Sequence, residues 1–191
     1  MTIRPATAED AWGIARVHVE SWRTTYRGII PDEVLAGLSV EGRAEMWRRA
    51  AAQTGQPGRG LFVAEDSGRI VGFASGGPER TGDPHYTGEL YAIYVLAPHQ
   101  RRRIGRALVR CVVGALLAGG HRTMLLWVLT ANDGARRFYE SLGGRAVREQ
   151  LTEIGGARYP ETGYGWDDLA ALRRWLSAAA GSPPDSSETT G

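Results

Sequence analysis

The chain of 191 residues contains no lysine; all 23 of its basic residues are arginine. No side-chain ammonium is therefore present to act as a catalytic lysine or a self-acylation site. The G-x-x-x-x-G-K-[ST] phosphate loop is excluded for the same reason, and no G-x-G-x-x-G follows a strand. Arginine in the company of abundant alanine and glycine otherwise reads as the mark of a GC-rich genome. Cysteine is nearly absent: Cys111 stands alone, which rules out an intrachain disulfide and a cysteine-cluster metal site. The four histidines, His18, His85, His99 and His121, are scattered without metal-ligand spacing, so no metal is expected. No run of about 18 apolar residues occurs, so no membrane span is expected. The start, Met1-Thr2-Ile3-Arg4-Pro5, lacks a signal-peptide apolar region, and a cytoplasmic location is the expectation. The net charge of +2 is too small to point to nucleic acid.

What is present suits one domain, expected over residues 1–178, with 42% hydrophobic residues for its core. Thr7 followed by Asp10 reads as a helix start, with Ile14, Val17, His18 and Ser21 on one face. Pro31 opens a short helix carrying Val34, Leu35 and Leu38, and a third helix runs from Glu41 to Ala52. The period then changes. Leu61–Glu65 and Ile70–Ala74 flank Asp66-Ser67-Gly68-Arg69 as a hairpin, residues 77–88 form a loop, and Glu89–Leu96 is an apolar strand. Ile104–Leu117 has helical apolar spacing, Thr123–Leu129 is a buried strand, and Asp133–Leu142 is a helix. Weaker strands are expected at Ala146–Thr152 and Ala157–Trp166, then an amphipathic helix at Asp167–Ala180. Residues 179–191, rich in Ser, Pro and Thr, form an expected disordered tail. The order predicts an α+β fold with a mixed, mostly antiparallel twisted sheet flanked by helices.

The densest chemistry lies at Gln100-Arg101-Arg102-Arg103-Ile104-Gly105-Arg106-Ala107-Leu108, between a strand and a helix. Backbone N–H groups at a helix start have no internal acceptors and bind anions, aided by the helix dipole and by successive amides arranged as a nest. Gly105 has no Cβ to block a ligand's approach. The arginines add positive charge around the same spot, which reads as a pyrophosphate site, or equally as an arginine-rich solvated helix start.

Gln100-x-x-Arg103-x-Gly105 resembles the Q/R-x-x-G-x-G/A signature of the GCN5-related N-acetyltransferase (GNAT) superfamily. Gly88-Glu89-Leu90-Tyr91-Ala92-Ile93-Tyr94-Val95 is similar to that family's fourth strand. Asn132-x-x-Ala135-x-x-Phe138-Tyr139-Glu140-x-Leu142-Gly143 is similar to its later motif, and Ser21-Trp22-Arg23-x-x-Tyr26-Arg27-Gly28-Ile29-Ile30-Pro31 to the start of small bacterial members. The resemblance covers about residues 2–166. Arg103 departs from it by standing where the first glycine is usual, which narrows the tolerated turn geometry.

The resemblance implies acetyl-CoA as cosubstrate. Tyr94, Val95 and Leu96 would contact the pantetheine arm and thioester, with a strand N–H polarising the acetyl carbonyl. The turn Arg101, Arg102, Arg103, Ile104, Gly105 and Arg106, led by Gln100, would hold the pyrophosphate; Asn132 and Ala135 would meet the arm. An alkylamine acceptor is neutral in only about one molecule in 2,500 at pH 7, a cost of roughly 4.6 kcal/mol that a general base can help supply. Glu89, eleven residues before Gln100, has the family spacing for that base; the alternative is a salt-bridged glutamate, with deprotonation through water. Tyr139 matches the family's general acid toward the leaving thiolate, at an uphill cost of about 2 kcal/mol; the alternative is a packed tyrosine. Of the remaining residues, His85, Trp22, Tyr26 and Trp47 are candidates for the acceptor wall, although aromatics at helical spacing are more often core. Cys111 reads as a small core residue.

The resulting expectation is acetyl transfer to a primary amine of a small molecule. Peptide N-terminal acetylation and a non-catalytic coenzyme A module are the alternatives. A homodimer is admitted by family habit alone, and the acceptor itself is not readable.

Overall fold

The computed structural model describes residues 1–178; the expected tail at 179–191 lies outside them. The chain begins with β1 (Thr2–Pro5), a tight turn at Ala8–Asp10, α1 (Ala11–Thr25), α2 (Asp32–Ala36) and α3 (Val40–Ala51). Then come β2 (Gly60–Asp66), β3 (Arg69–Pro78), β4 (Gly88–Val95), α4 (Ile104–Ala118), β5 (Met124–Leu129) and α5 (Asp133–Ser141). The hairpin β6 (Arg145–Ile154) and β7 (Ala157–Trp166), and finally α6 (Leu169–Ala178), complete it. The predicted elements are all present, with three changes of extent. β3 continues to Pro78, so the connection to β4 is only residues 79–87. Pro31 precedes α2 rather than opening it, and Leu38 falls beyond its end. The last two strands are ten residues each, because Gly155 and Gly156 both take positive φ and let them pair back tightly.

The strands form one seven-stranded sheet in the order β1-β2-β3-β4-β5-β7-β6. Every pairing is antiparallel except β4 with β5, as the mixed α+β reading expected. One face carries α4 and α6. The α4 stripe Ile104, Leu108, Val112 and Leu116 is buried in a cluster with Leu126, Tyr164 and the α6 residues Leu169, Leu172 and Leu176. Each such aliphatic side chain contributes about 1.5–3 kcal/mol by leaving water. The opposite face carries α1 and α3, whose Ile14, Val17 and Trp47 pack on Val63 and Phe73. Asp10 fastens the entry to α1: its carboxylate accepts from the Thr7 N–H at 2.8 Å and from both ends of the Arg4 guanidinium at 2.7 and 2.8 Å. Arg4 holds that carboxyl below the usual aspartate range.

One irregularity in β4 shapes everything that follows. Gly76 pairs with Leu90 and the preceding Ser75 pairs with Ala92, so Tyr91 is an extra residue on β4. Such a bulge bends the strand and increases its twist. Gly76 makes the bend possible, since a Cβ there would come within 2.8 Å of the Glu89 carbonyl oxygen. On its other side β4 pairs with β5 only at Gly88–Met124 and Glu89–Leu125. From Leu90 onward the two parallel strands part.

Candidate active site

The gap between the parted strands is a cleft of about 880 Å³. Its walls are β4 from Leu90 to Val95, β5 at Leu126, Trp127 and Val128, the first turn of α4, the inner face of α5, and Ser21, Thr25 and Tyr26 of α1. The volume suits a cofactor-sized ligand. Because β4 has lost its neighbour, its backbone groups on that side are free to pair with an extended ligand, as a sheet edge does.

One end of the cleft is the α4 start. Arg103 caps the helix in the left-handed conformation, φ 63° and ψ 6°, and Arg101 also has positive φ, 60°. This is the local geometry that glycine usually supplies, and a side chain bears it at a cost of roughly 1–2 kcal/mol. The first turn of α4, whose leading N–H groups have no acceptor within a helix, opens onto the cleft. Gln100, Arg101, Arg103, Ile104, Gly105 and Arg106 all line it. Arg102 does not; it turns toward His99, at 3.4 Å, and Asp66, at 3.8 Å. Gln100 donates from Nε2 to the Val95 carbonyl at 2.9 Å and ties the turn to the strand. Gly105 also serves protein packing: a Cβ there would lie 3.1 Å from the Phe138 ring, a tight contact.

At mid-cleft, Tyr94 and Val95 of β4 face Asn132, Ala135 and Tyr139 across the gap. Leu96 is outside the wall, and its N–H is already bonded to the Val71 carbonyl at 2.9 Å. Asn132, the chain's only asparagine, accepts from the Ala135 N–H at 3.1 Å and so caps α5. That orients its amide toward Tyr26, whose phenol is coupled to both Tyr94 and Asn132. Tyr94 in turn accepts from the Trp22 indole at 2.9 Å. Tyr139 is buried, and that burial above all, with a smaller effect of Tyr26, drives its phenol well above the ordinary value. It therefore stays protonated through the working pH range.

Glu89 stands behind the wall rather than in it. It is 1% exposed, and its carboxylate is gripped by Arg80: Nη2 to Oε1 at 2.5 Å, Nε to Oε2 at 3.0 Å and the backbone N–H to Oε2 at 3.1 Å. Arg80 also lies over the Tyr91 ring, 4.1 Å from its centroid. A second carboxylate, Glu161 of β7, stands opposite Leu129 and accepts from the Gln150 amide at 2.9 Å. Burial, and more weakly the charge of Glu89, push the Glu161 carboxyl up.

Sequence reasoning missed several groups at this end. Ser21 and Trp127 line the cleft, and the Ser21 hydroxyl and the Trp127 indole nitrogen are buried without a hydrogen-bond partner. Neither residue type signals this in a sequence. Of the acceptor-wall candidates, Tyr26 lies in the cleft. Trp47 is core and donates to His18 Nδ1 at 3.1 Å; Trp22 braces Tyr94. His85 is a correction: its ring turns to Asp167, 2.9 Å away at the exposed surface, and it is not in the cleft wall. Cys111 is only half-buried.

Comparison with known proteins gives this geometry its context. Residues 18–144 match the Acetyltransferase (GNAT) family. The chain is 42% identical over 178 residues to the uncharacterized N-acetyltransferase YuaI of Bacillus subtilis, covering 93% of this chain and 99% of that one. It is 27% identical over 177 residues to the L-amino acid N-acyltransferase MnaT of Escherichia coli, covering 92% and 94%. Among solved structures, yncA from Salmonella typhimurium with its cofactor acetyl-CoA superposes with a TM-score of 0.67 at 25% identity, over 87% of this chain and 93% of that one. The chain therefore belongs to the Acetyltransferase (GNAT) family, as an acetyl-CoA-dependent N-acetyltransferase.

Proposed function

We propose that the acceptor is the primary amine of a small molecule of amino-acid size, acetylated by direct attack on the thioester. The supporting observation is that Ser21, Tyr26 and Trp127, carried by rigid elements, close the cleft around a compact acceptor. The likeness to an L-amino acid N-acyltransferase points the same way.

Acetyl-CoA supplies the activated acetyl group and a thiolate leaving group. The turn from Arg101 to Arg106 binds the phosphates through backbone N–H groups and arginine charge, with Arg103 and Arg106 nearer than Arg102. Tyr94, Val95, Asn132 and Ala135 flank the pantetheine arm; Leu96 holds the end of the strand in place. Tyr139 protonates the departing thiolate. Burial raises a thiolate's proton affinity as it raises the phenol's, so the transfer stays within reach. Glu89 draws the amine's proton through water, since Arg80 occupies both its oxygens and keeps it from the cleft. Glu161, with its raised carboxyl, receives the acceptor's ammonium on the same face.

Thiol release measured over a panel of free amino acids, alkylamines and peptides tests this reading. Turnover is expected with amino-acid-sized amines, and preference for peptide N-termini would overturn it. Tyr139→Phe should lower kcat about 100-fold while leaving coenzyme A affinity unchanged; equal turnover would remove the acid role.

A further inference from the structure

The segment matched to the family ends at residue 144, yet α6 lies beyond it and packs against α4. Its Leu169, Leu172 and Leu176 are buried. Trp175 is not: it is 43% exposed at the edge of that stripe. Its ring is held by the Arg106 guanidinium, 5.0 Å from the ring centroid. Arg106 belongs to the first turn of α4 and lines the phosphate end of the cleft. The cleft is also continuous with this ring along a second path. Ser141, at the end of α5, lines both the cleft and a neighbouring groove that Trp175 lines as well. An oriented aromatic face thus continues the cleft just past the phosphate turn, at two separate junctions.

Coenzyme A continues past its pyrophosphate directly into adenosine, so the base must lie near whatever surrounds the phosphate turn. We infer that the exposed face of Trp175 is a stacking platform for the adenine of the coenzyme, supplied by a helix outside the segment matched to the family. The charge pattern of the groove agrees. Glu140, Asp167 and Asp168 line it against one arginine, Arg145, itself paired with Asp167, so the groove disfavours a phosphate and accepts a neutral ring bearing an amino donor. The 3′-phosphate is thereby left on the arginine side. The cation over the ring fixes the indole's orientation in advance, which cuts the ordering cost of stacking. This inference rests on the acetyl-CoA reading and on the phosphate placement at residues 101–106.

Calorimetric binding of coenzyme A and of 4′-phosphopantetheine, which lacks the adenosine, separates the two. Trp175→Ala should weaken coenzyme A about tenfold, the ordinary worth of a base on an aromatic platform, and leave 4′-phosphopantetheine unchanged. Trp175→Phe should keep most of the affinity. Because Phe retains the packing of α6, it also serves a fluorescence test. Coenzyme A should quench the wild-type tryptophan emission more than 4′-phosphopantetheine does, and Trp175→Phe should lose that excess. Unchanged coenzyme A affinity in Trp175→Ala, or equal weakening of both ligands, overturns the platform while leaving the cofactor reading intact. Failure of the wild-type protein to bind either ligand overturns both.

Discussion

The phosphate end of the cleft is built from backbone, and the acceptor end from side chains. At the first, the working groups are the N–H groups of a helix start, aimed by two arginines with positive φ. At the second they are Ser21 from α1, Tyr26 just past its end and Trp127 from β5, with Glu161 of β7 near enough for its charge to act on the Tyr26 phenol, residues that meet only when the sheet is assembled. Backbone machinery needs a contiguous run with particular small or turn-compatible residues, so it leaves a motif. Side-chain machinery needs only a shared face, so it leaves none. The same contrast governs how each end responds to change: the backbone end tolerates new side chains provided that the turn survives, whereas the acceptor end is sensitive to single atoms and to protonation.

The largest difference between the ends should appear on acidification. His18 sits behind the acceptor wall, 6% exposed, stacked on Tyr94 with ring centroids 5.2 Å apart and surrounded by Trp22, Trp47 and Phe73. Its Nδ1 accepts from Trp47, which requires the neutral ring. Burial, aided by the Arg43 charge, pushes its pKa down to about 3. An unfolded histidine titrates near 6.5, so between these values the unfolded state binds more protons and stability rises with pH. Stability should therefore fall by about 1.4 kcal/mol per unit as pH drops below the unfolded value toward 3. Asp10 adds to this only lower down: its pKa is depressed by Arg4, so its contribution is full above the ordinary aspartate value and is lost as pH falls through the depressed one. Urea unfolding of His18→Gln between pH 7 and 4 checks the histidine share. A slope as steep as that of the wild type would mean the acceptor wall is not the pH-sensitive end.

A smaller effect should separate the ends in kinetics. Glu161→Gln removes the charge proposed to meet the acceptor's ammonium and keeps the shape. KM for the amine should rise about tenfold, the value of one modest charge-assisted contact, with coenzyme A affinity unaltered. A change in coenzyme A affinity instead would place Glu161 on the cofactor side and blur the division.

The sequence shows the two ends unequally, in keeping with their construction. β4, the arginine turn and α4 are legible because period, turn chemistry and signature agree over residues 88–118. Asn132 and Tyr139 are legible only through the family's later motif, and the cap that Asn132 makes on α5 is seen only in the fold. The fate of Glu89 does not, because its partner Arg80 lies in a loop with no local pattern and meets it only through the β3–β4 pairing. The bulge at Tyr91 is invisible for the same reason: one residue out of register on an otherwise continuous apolar strand. Arg102 reads like its neighbours, yet the left-handed turn on either side sends it away to Asp66. Gly105 reads as room for a ligand and proves to be room for Phe138 as well.

Arg103 offers the finest cut, because there a side chain occupies a backbone role. If the turn acts through its amides, Arg103→Gly keeps the amide, removes the αL penalty of a Cβ, and loses one positive charge. The penalty is roughly 1 kcal/mol or somewhat more, but glycine returns part of it as conformational freedom in the unfolded chain. Thermal unfolding should therefore move by no more than about 1 kcal/mol, since the contacts of the Arg103 side chain are lost together with the strain. Coenzyme A affinity should fall a few-fold at most, as expected for one cation near a phosphate at a helix start. Arg103→Glu keeps the strain and inverts the charge, so its affinity should fall about tenfold or more with no gain in stability. The pair of variants separates conformation from charge at one position. Equal affinities for the two would mean that charge at position 103 does not reach the phosphates, and whatever holds them at this turn would be its amides and the other arginines alone.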